Sequence, residues 1–338
     1  MRIILFILSI FLLFWCSSEY IDTIQRQHTQ IRSSSWDIGP ISGELFVLPD
    51  ERVLYSLVSD IDAAHDRIWL ETYTWTEKST QEAILRAHKR WVDVRVILEW
   101  NVYNTPWINN EIVKKLKNAD VSFRYADNHR YTFTHIKMWM IDNSVCVSTG
   151  NWSYTSFTKN REFIYCTYDD DVINDMEEIF LSDFRYVRPY FPDWLHPAIW
   201  LAPENIRTWI YDELKKAKHK IILYNQTVSD DSLISELSRL SSQGIDIEVC
   251  QANRDVTWES EAFHSNIQLY SSKKPYLHAK VFLIDDDTVI LWSANMTQNA
   301  IENNREILIS LWHNKRIYDM IFSLYHKDCY SSSINIWK

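Results

Sequence analysis

The sequence contains one pattern twice. Residues 134–151 read THIKMWMIDNSVCVSTGN, and residues 277–295 read LHAKVFLIDDDTVILWSAN. Each copy has a His, a Lys two residues later and an Asp after four further residues, and each then reaches a short turn that ends in Asn. Ten residues beyond that Asn, both copies have Arg-Glu preceded by another Asn. A match at so many positions is far more specific than a lone His-x-Lys, so we interpret the chain as an internal duplication.

The matching positions are His135, Lys137, Asp142, Asn151, Arg161 and Glu162 in the first copy, and His278, Lys280, Asp285, Asn295, Arg305 and Glu306 in the second. The first copy has one residue fewer between its Asp and its Asn. We expect a shorter hairpin turn at Asn143-Ser144 to absorb this difference.

The surrounding sequence repeats as well. Helical and strand-like patterns alternate from about Gly43 onward, and the same order returns from Glu204. This predicts an α/β fold with two similar lobes packed about a pseudo-twofold axis. We place the first lobe at residues 44–188 and the second at 189–338, with the junction at 189–203.

Strand geometry divides the repeated side chains into two groups. Side chains alternate along a strand, so His135 and Lys137 share one face, while Asp142, seven residues after His135, points to the other. The same holds for the second copy. We therefore expect each His-Lys pair to share an anion site and Asp142 and Asp285 to be structural.

The paired motifs and the downstream Glu resemble those of the phospholipase D superfamily, over about residues 44–325. The resemblance implies that two α/β lobes bring both motifs to one active-site cleft. It implies that His135 is the nucleophile that forms a phosphohistidine and that His278 is the acid and later the base, although the reverse order stays open. Lys137 and Lys280 would supply positive charge and Asn151 and Asn295 neutral donors, while Glu162 and Glu306 would orient the histidines. No metal or other cofactor is expected.

The reaction type is better determined than the substrate. We expect hydrolysis of phospholipid headgroups at a membrane surface by a monomer, with cardiolipin synthase-like phosphatidyl transfer, a metal-independent nuclease and an inactive phosphate-binding protein as alternatives. The net charge of −10 and the pI of about 5.6 do not favour a polyanionic nucleic acid. Of the other histidines, His129 could lie near the mouth of the cleft.

The first residues predict export. Arg2 precedes an apolar run, Ile3 to Trp15, which is too short to span a bilayer but suits a signal peptide. Cys16 follows and resembles the lipidated Cys of a bacterial lipoprotein, with plain secretion or an uncleaved anchor as alternatives. Polar residues 17–43 then read as a tether.

The other cysteines are Cys146, Cys166, Cys250 and Cys329, and they show no spacing typical of a metal site. We expect buried free thiols, with a disulfide as the alternative.

Glycine and tryptophan occur in unusual numbers: the chain has 4 Gly and 16 Trp. Trp91 stands where a helix end favours Gly, and Trp292 is expected to clash in a tight turn beside the active site. One interpretation is that Trp15, Trp91 and Trp292 are glycine codons (UGA) read as Trp, and the other is a Trp-rich genome. Codons of UGG at all three positions would refute the first.

Overall fold

The computed structural model describes residues 41–187, 195–252 and 266–330. The predicted leader, with Trp15 and Cys16, and residues 17–40 of the predicted tether lie outside these ranges. Gly43, the last residue of the predicted tether, already opens the first strand. No helix within the described ranges is long and apolar enough to cross a bilayer.

Between residues 41 and 187, the described part of its first half, the chain forms seven strands and five helices. In order these are β1 (Gly43–Leu48), α1 (Glu51–Ala63), β2 (Arg67–Thr72), α2 (Lys78–Lys89), β3 (Asp93–Leu98), α3 (Asn110–Asn118), β4 (Ser122–Tyr125), β5 (Lys137–Ile141), β6 (Ser144–Ser148), α4 (Tyr154–Thr158), β7 (Asn160–Thr167) and α5 (Asp170–Phe184).

The second half repeats this order. It comprises β8 (Ile199–Ala202), α6 (Ile206–Lys216), β9 (Lys220–Asn225), α7 (Asp231–Ser242), β10 (Asp246–Ala252), β11 (Gln268–Ser272), β12 (Tyr276–Leu277), β13 (Lys280–Ile284), β14 (Thr288–Trp292), α8 (Gln298–Glu302), β15 (Glu306–Leu311) and α9 (Lys315–Tyr325), followed by a π-helical turn at His326–Tyr330.

The two sheets are equivalent strand by strand. The first has the order β1-β7-β6-β5-β2-β3-β4, and the second has the order β8-β15-β14-β13-β9-β10-β11. Within each of these orders three neighbouring strands run parallel, and the other neighbours pair antiparallel. The short strand β12 pairs parallel with β7 of the first sheet, and its counterpart is the parallel bridge between Thr134 and Arg305. The predicted α/β fold with two similar lobes is confirmed.

Burial explains why the motif strands sit in the middle of their sheets. All five residues of β5 and all five of β13 are buried. Both strands read as almost continuous apolar runs after their Lys, which is typical of a strand covered on both faces. Each motif is therefore attached to a rigid central strand.

The hairpins after the motifs correct two details of the sequence analysis. The shorter turn is at Asp142-Asn143 rather than Asn143-Ser144, because Ser144 already pairs with Ile141. Its counterpart has three residues, 285–287. The second correction is that His135 precedes β5 rather than lying within it, since the strand begins at Lys137.

The cysteines form two disulfides, so the expectation of free thiols was wrong. Cys146 and Cys166 are paired residues of neighbouring strands β6 and β7, with Cα atoms 4.0 Å apart. Cys250 in β10 joins Cys329 in the C-terminal turn, 79 residues later. Strand register and the docking of the C-terminal turn create both pairs, and neither is visible in the spacing of the cysteines.

The two unusual tryptophans that lie within the described ranges behave differently. Trp91 has φ 69° and is 94% exposed, so its backbone adopts a conformation that favours Gly while its ring has few packing contacts. Trp292 ends β14, and its ring is fully buried in the core of the second lobe near Phe282. The expected clash is therefore absent, because alternation points the ring away from the turn that begins at Ser293.

Replacing Trp91 by Gly is expected to stabilise the protein. The left-handed conformation costs an L-residue about 1 kcal/mol that Gly does not incur, so the free energy of unfolding should rise by about that amount. Thermal or denaturant unfolding measures it. Tyr55→Gly, at an exposed aromatic position inside α1, is the matched control and should destabilise by about 1 kcal/mol. Equal destabilisation by both substitutions would contradict the prediction.

Candidate active site

Each motif histidine is held by the backbone of the opposite lobe. The His135 N–H donates to the Arg305 carbonyl oxygen (2.8 Å), and the Arg305 N–H donates to the carbonyl oxygen of Phe133 (2.8 Å). In the other direction, the His278 N–H donates to the carbonyl oxygen of Arg161 (3.2 Å). The residue after each of these arginines is the motif Glu, so these backbone contacts bring each His to the Glu of the other lobe.

The two histidines form reciprocal pairs with buried carboxylates. His135 Nδ1 lies 3.0 Å from both carboxylate oxygens of Glu306. His278 Nδ1 lies 2.6 Å from Glu162 Oε1. Both Glu side chains are fully buried, whereas the two His side chains keep 13% and 16% exposure. In both rings Nδ1 is engaged by the carboxylate, and Nε2 is the second ring nitrogen that can face a substrate. At His278, Lys280 Nζ lies 3.0 Å from Nδ1 and 3.3 Å from Nε2.

Each carboxylate is in turn held by a hydroxyl group from its own lobe. Thr149 Oγ1 donates to Glu162 Oε2 (2.8 Å), and Ser293 Oγ donates to Glu306 Oε2 (2.5 Å). The two hydroxyl oxygens in turn accept backbone N–H groups from β7 and β15 at 3.0 Å. The sequence analysis gave neither hydroxyl a role, although their equivalent positions in the two copies were the available clue.

The motif lysines are fully buried and point back toward the histidines. Lys137 Nζ donates to the carbonyl oxygen of His135 (2.6 Å). Lys280 Nζ donates to the carbonyl oxygens of His278 (2.5 Å) and Thr149 (3.2 Å). The bond to Thr149 crosses between the lobes. Both ammonium groups therefore lie in the same cleft as the two His-Glu pairs.

Burial governs the protonation of the histidines. It lowers the pKa of His135 to about 4, and Lys137 acts in the same direction, while Glu306 opposes the shift. Burial also lowers the pKa of His278, opposed by Glu162 and assisted by Lys280. A phosphodiester anion in the cleft would raise the pKa of both imidazoles, because its charge favours the protonated form. A pKa of about 4 keeps the imidazole of His135 neutral at neutral pH, which is the form that a nucleophile requires.

Burial and neighbouring charges also set the pKa values of the two lysines and the two glutamates. Burial lowers the pKa of Lys280 to about 8, and it lowers the pKa of Lys137 as well, with Lys280 adding repulsion. Burial would raise the pKa of Glu162 and Glu306, but the adjacent histidines and lysines hold both below their usual value. The carboxylates are therefore ionised at neutral pH and can stabilise an imidazolium.

The turn asparagines complete the cleft. Within the described structure, the side-chain oxygens of Asn151 and Asn295 are buried and have no hydrogen-bond partner. The donors of these amides are their Nδ2 groups, and donation from them to phosphate oxygens stays a prediction from the sequence.

The motif aspartates lie at the other end of their strands. Asp142 accepts backbone N–H groups from residues 65–67, and Asp285 accepts them from residues 218–220, at 2.9–3.1 Å. These bonds lower the pKa of each Asp against the effect of burial. Each carboxylate ties the hairpin turn to the start of a neighbouring antiparallel strand, β2 in the first lobe and β9 in the second.

Two buried arginines form salt bridges that join the lobes beside the cleft. Arg305 Nε donates to Asp183 of α5 (2.8 Å), and Arg161 Nε donates to Asp328 of the C-terminal turn (2.7 Å). Each pair joins one half of the chain to the other. The sequence analysis noted these arginines as matching positions without assigning them a role.

Within the described ranges, no group of three or more His, Cys, Asp or Glu side chains is arranged to hold a metal ion. The cleft instead presents imidazole, ammonium and amide groups to an anion. Such a set can provide a nitrogen nucleophile, a proton donor and charge for the equatorial oxygens of a phosphodiester.

Position 150 requires Gly because its Cα lies close to the Glu162 side chain. A Cβ at this position would lie 2.7 Å from Glu162 Cδ, so the carboxylate must move. We expect Gly150→Ala to fold normally but to lose about tenfold in turnover, because the displaced Glu162 no longer orients His278. The second lobe already has Ala294 at the equivalent position, so Ala294→Gly is the matched control and should keep near-normal turnover. Unchanged turnover of Gly150→Ala would contradict this prediction.

Activity should fall as the pH rises through about 8. Above this pH Lys280 loses its proton, and with it the charge that faces the phosphate oxygens. The pH profile of kcat/KM reports ionisations of the free enzyme and is the measurement to make. In Lys280→Arg the guanidinium stays charged, so the part of the alkaline fall that Lys280 causes near pH 8 should disappear even if the rate is lower. An identical alkaline limb in this variant would assign the limb to another group.

Comparisons with known proteins agree with this geometry. The family model described as "Cardiolipin synthase, PLD-like domain" matches residues 57–184 and 210–324. The chain therefore belongs to the phospholipase D superfamily, as the resemblance implied.

Curated relatives give a more specific likeness. The chain is 21% identical over 316 residues to a cardiolipin synthase of Geobacillus kaustophilus, covering 80% of this chain and 63% of that protein. It is 23% identical over 324 residues to cardiolipin synthase B of Escherichia coli K12, covering 80% of this chain and 77% of that protein. The chain thus spans less than two thirds of the first relative's length.

Solved structures show the same fold. Phosphatidylserine synthase from Haemophilus influenzae matches with a TM-score of 0.68 at 11% identity, covering 91% of this chain and 92% of that chain. Polyphosphate kinase from Porphyromonas gingivalis matches with a TM-score of 0.65 at 15% identity, covering 84% and 49%. Because these two names refer to different substrates, the fold alone does not select one.

Proposed function

We propose that this protein is a phosphatidyl transferase of the cardiolipin synthase kind, acting through a phosphohistidine. The observation that carries the proposal is the pair of equivalent buried His-Glu units that meet in one cleft. A transfer reaction exchanges one alcohol for another at the same phosphorus, and its two half-reactions require the same groups in reverse. The sequence analysis placed hydrolysis first, but the names of the relatives support transfer better.

The first half-reaction begins with Nε2 of His135. Its lone pair attacks phosphorus while Glu306 stabilises the charge that develops on the ring. The bond to the leaving alcohol breaks, and His278 gives its proton to the departing oxygen. Lys137, Lys280 and the two asparagines would stabilise the equatorial oxygens. The product is a phosphatidyl group on His135 and a neutral His278.

The second half-reaction reverses these steps. His278 takes the proton of an incoming alcohol, whose oxygen attacks phosphorus. The P–N bond to His135 then breaks and releases the new diester. With phosphatidylglycerol as both donor and acceptor, the products are diphosphatidylglycerol and glycerol in equal amounts. Water as the acceptor would give phosphatidic acid instead.

The experiment is to incubate the purified full-length protein with phosphatidylglycerol vesicles, without divalent metal, and to quantify lipids and glycerol by mass spectrometry. We expect diphosphatidylglycerol to exceed phosphatidic acid, with one glycerol released per new lipid. Phosphatidic acid as the main product would show a hydrolase. Cleavage of single-stranded DNA in place of lipid would show a nuclease, and no turnover of either would show an inactive protein.

We also propose that the protein is exported and anchored through Cys16. The support is the apolar run before Cys16 together with two disulfides, which persist in oxidising compartments. Cys16→Ser should move the protein from the membrane fraction to the soluble exported fraction. Retention of this variant in the membrane would count against lipidation.

A further inference from the structure

A large cavity lies beside the cleft at the carboxyl ends of β3 and β4. Its volume is about 900 Å³, within the range of about 300–1,000 Å³ that small-molecule sites occupy. Trp100, which follows β3, and Tyr125, which ends β4, line it together with Tyr186. These aromatic residues are 52%, 37% and 48% exposed. We call this space the Trp100 cavity.

The Trp100 cavity connects to the catalytic histidine through two sets of contacts. Its lining residue Asn128 donates to Glu99 (3.2 Å), and Glu99 accepts the backbone N–H of Thr134, the neighbour of His135 (2.8 Å). In the second set, Asn109, which also lines the cavity, donates to the carbonyl oxygen of Tyr73 (2.9 Å).

Tyr73 lies between the lining residue Asn109 and His135. Its ring packs edge-on against His135, with centroids 4.7 Å apart, and its hydroxyl accepts the backbone N–H of Tyr103 (2.7 Å). Tyr103 is 70% exposed, and Trp107 on the same loop is 65% exposed. A series of edge-on ring contacts therefore runs from His135 through Tyr73 and Phe133 to Tyr103 on the exposed loop at residues 100–107.

The chemistry of the lining points to an apolar ligand. Apolar side chains provide most of it: Trp100, Pro106, Val113, Tyr125, Ala126 and Tyr186. The other lining residues are Asn109, Asn110, Asp127, Asn128 and His129. Among the described residues that line the cavity, none is Lys or Arg, and Asp127 contributes a negative charge. A groove that follows a nucleic-acid backbone requires basic residues, so this lining disfavours that ligand. Exposed Trp and Tyr are instead typical of a surface at the lipid–water boundary.

We propose that the Trp100 cavity binds the acyl chains of the phospholipid whose phosphodiester reacts at His135. The proposal rests on the proposed function, and it assigns the apolar part of the substrate to the first lobe. The phosphate would lie between the two His-Glu pairs, and the chains would pass along Tyr73 into the cavity. The aromatic loop at residues 100–107 would meet the membrane surface.

The test compares Trp100→Ala with Trp91→Ala. Trp91 precedes β3 and is 94% exposed, so it is a matched tryptophan at the opposite end of the same strand. The substrates are long-chain phosphatidylglycerol, soluble six-carbon-chain phosphatidylglycerol and bis(4-nitrophenyl) phosphate, which has no acyl chain. Flotation of the protein with phosphatidylglycerol vesicles measures binding independently of turnover.

We expect Trp100→Ala to lower kcat/KM about tenfold for the long-chain lipid. The reason is that about half of the Trp100 side chain is exposed, and this part would contact the acyl chains. The same variant should stay within twofold of wild type for bis(4-nitrophenyl) phosphate and should float less with vesicles. Trp100→Phe should restore most of the loss, and Trp91→Ala should match wild type throughout.

Three results would overturn the acyl site. They are equal activity of Trp100→Ala and wild type on the long-chain lipid, an equal loss on all three substrates, and a loss confined to binding of single-stranded DNA. If wild type cleaves bis(4-nitrophenyl) phosphate but no lipid, the proposed function fails by itself. In that case flotation decides the acyl site: reduced flotation of Trp100→Ala supports it, and unchanged flotation overturns it.

Discussion

His135→Asn is expected to lower turnover by about 10⁴-fold or more, the largest effect of any single substitution in the cleft. Burial lowers the pKa of His135 to about 4, so its ring is neutral at neutral pH, and its Nδ1 is engaged by Glu306, so Nε2 carries the lone pair for attack. Asn keeps the approximate size of the ring but cannot form a covalent bond to phosphorus.

The order of the two histidines can be determined with bis(4-nitrophenyl) phosphate, whose leaving group departs without a proton donor. In His278→Asn, the first half-reaction should still proceed and release one equivalent of nitrophenol in a burst. The phosphoryl group should then remain on His135, where mass spectrometry of the digested protein locates it. His135→Asn should give no burst. A burst in His135→Asn with the phosphoryl group on His278 would establish the reverse order.

Glu306→Gln is expected to lower turnover by about 10³-fold. Gln cannot stabilise the imidazolium and can hold the ring in the wrong tautomer, which is the effect of losing the carboxylate in other His-carboxylate pairs. The loss of charge also leaves Lys137 and Lys280 with less compensation in the buried cleft. Glu302→Gln, at a 40% exposed carboxylate four residues earlier, is the control and should leave turnover unchanged.

Each His-Glu pair takes its His from one lobe and its Glu from the other, and this arrangement allows a more specific test. In the His278→Asn background only the His135 step remains, so Glu306→Gln should slow the burst by about 10²–10³-fold. Glu162→Gln, the equivalent change in the other lobe, should leave the burst within a few-fold, because its partner His278 is already absent. If Glu162→Gln slowed the burst and Glu306→Gln did not, the carboxylates would serve their own lobes and the crossed arrangement would be wrong.

A crossed arrangement also explains why the two lobes act as one enzyme. Neither lobe contains a complete His-Glu pair, and the backbone at Arg161 and Arg305 supplies the contacts that position the opposite histidine. The buried salt bridges of these arginines with Asp328 and Asp183 hold the same junction. A separated lobe would expose buried ammonium and carboxylate groups and lose its partner for catalysis.

The sequence by itself determined the duplication, the α/β class and the residues that surround the cleft. The reason is that two copies of one local pattern are compared within a single chain, and strand alternation sorts the side chains of each copy without any long-range information. Asp142 and Asp285 could be separated from the histidines in this way. The substrate ranking was less well founded, since fold and motif serve several phosphodiesters.

Only the tertiary structure decided which carboxylate meets which histidine, and that Thr149 and Ser293 hold those carboxylates. It also decided that Cys146 pairs with Cys166 and that the ring of Trp292 enters the core. Each of these depends on strand register or on the contact between lobes, where residues more than a hundred positions apart can meet. The spacing of residues along the chain does not predict such contacts, because they form when helices and strands pack against one another.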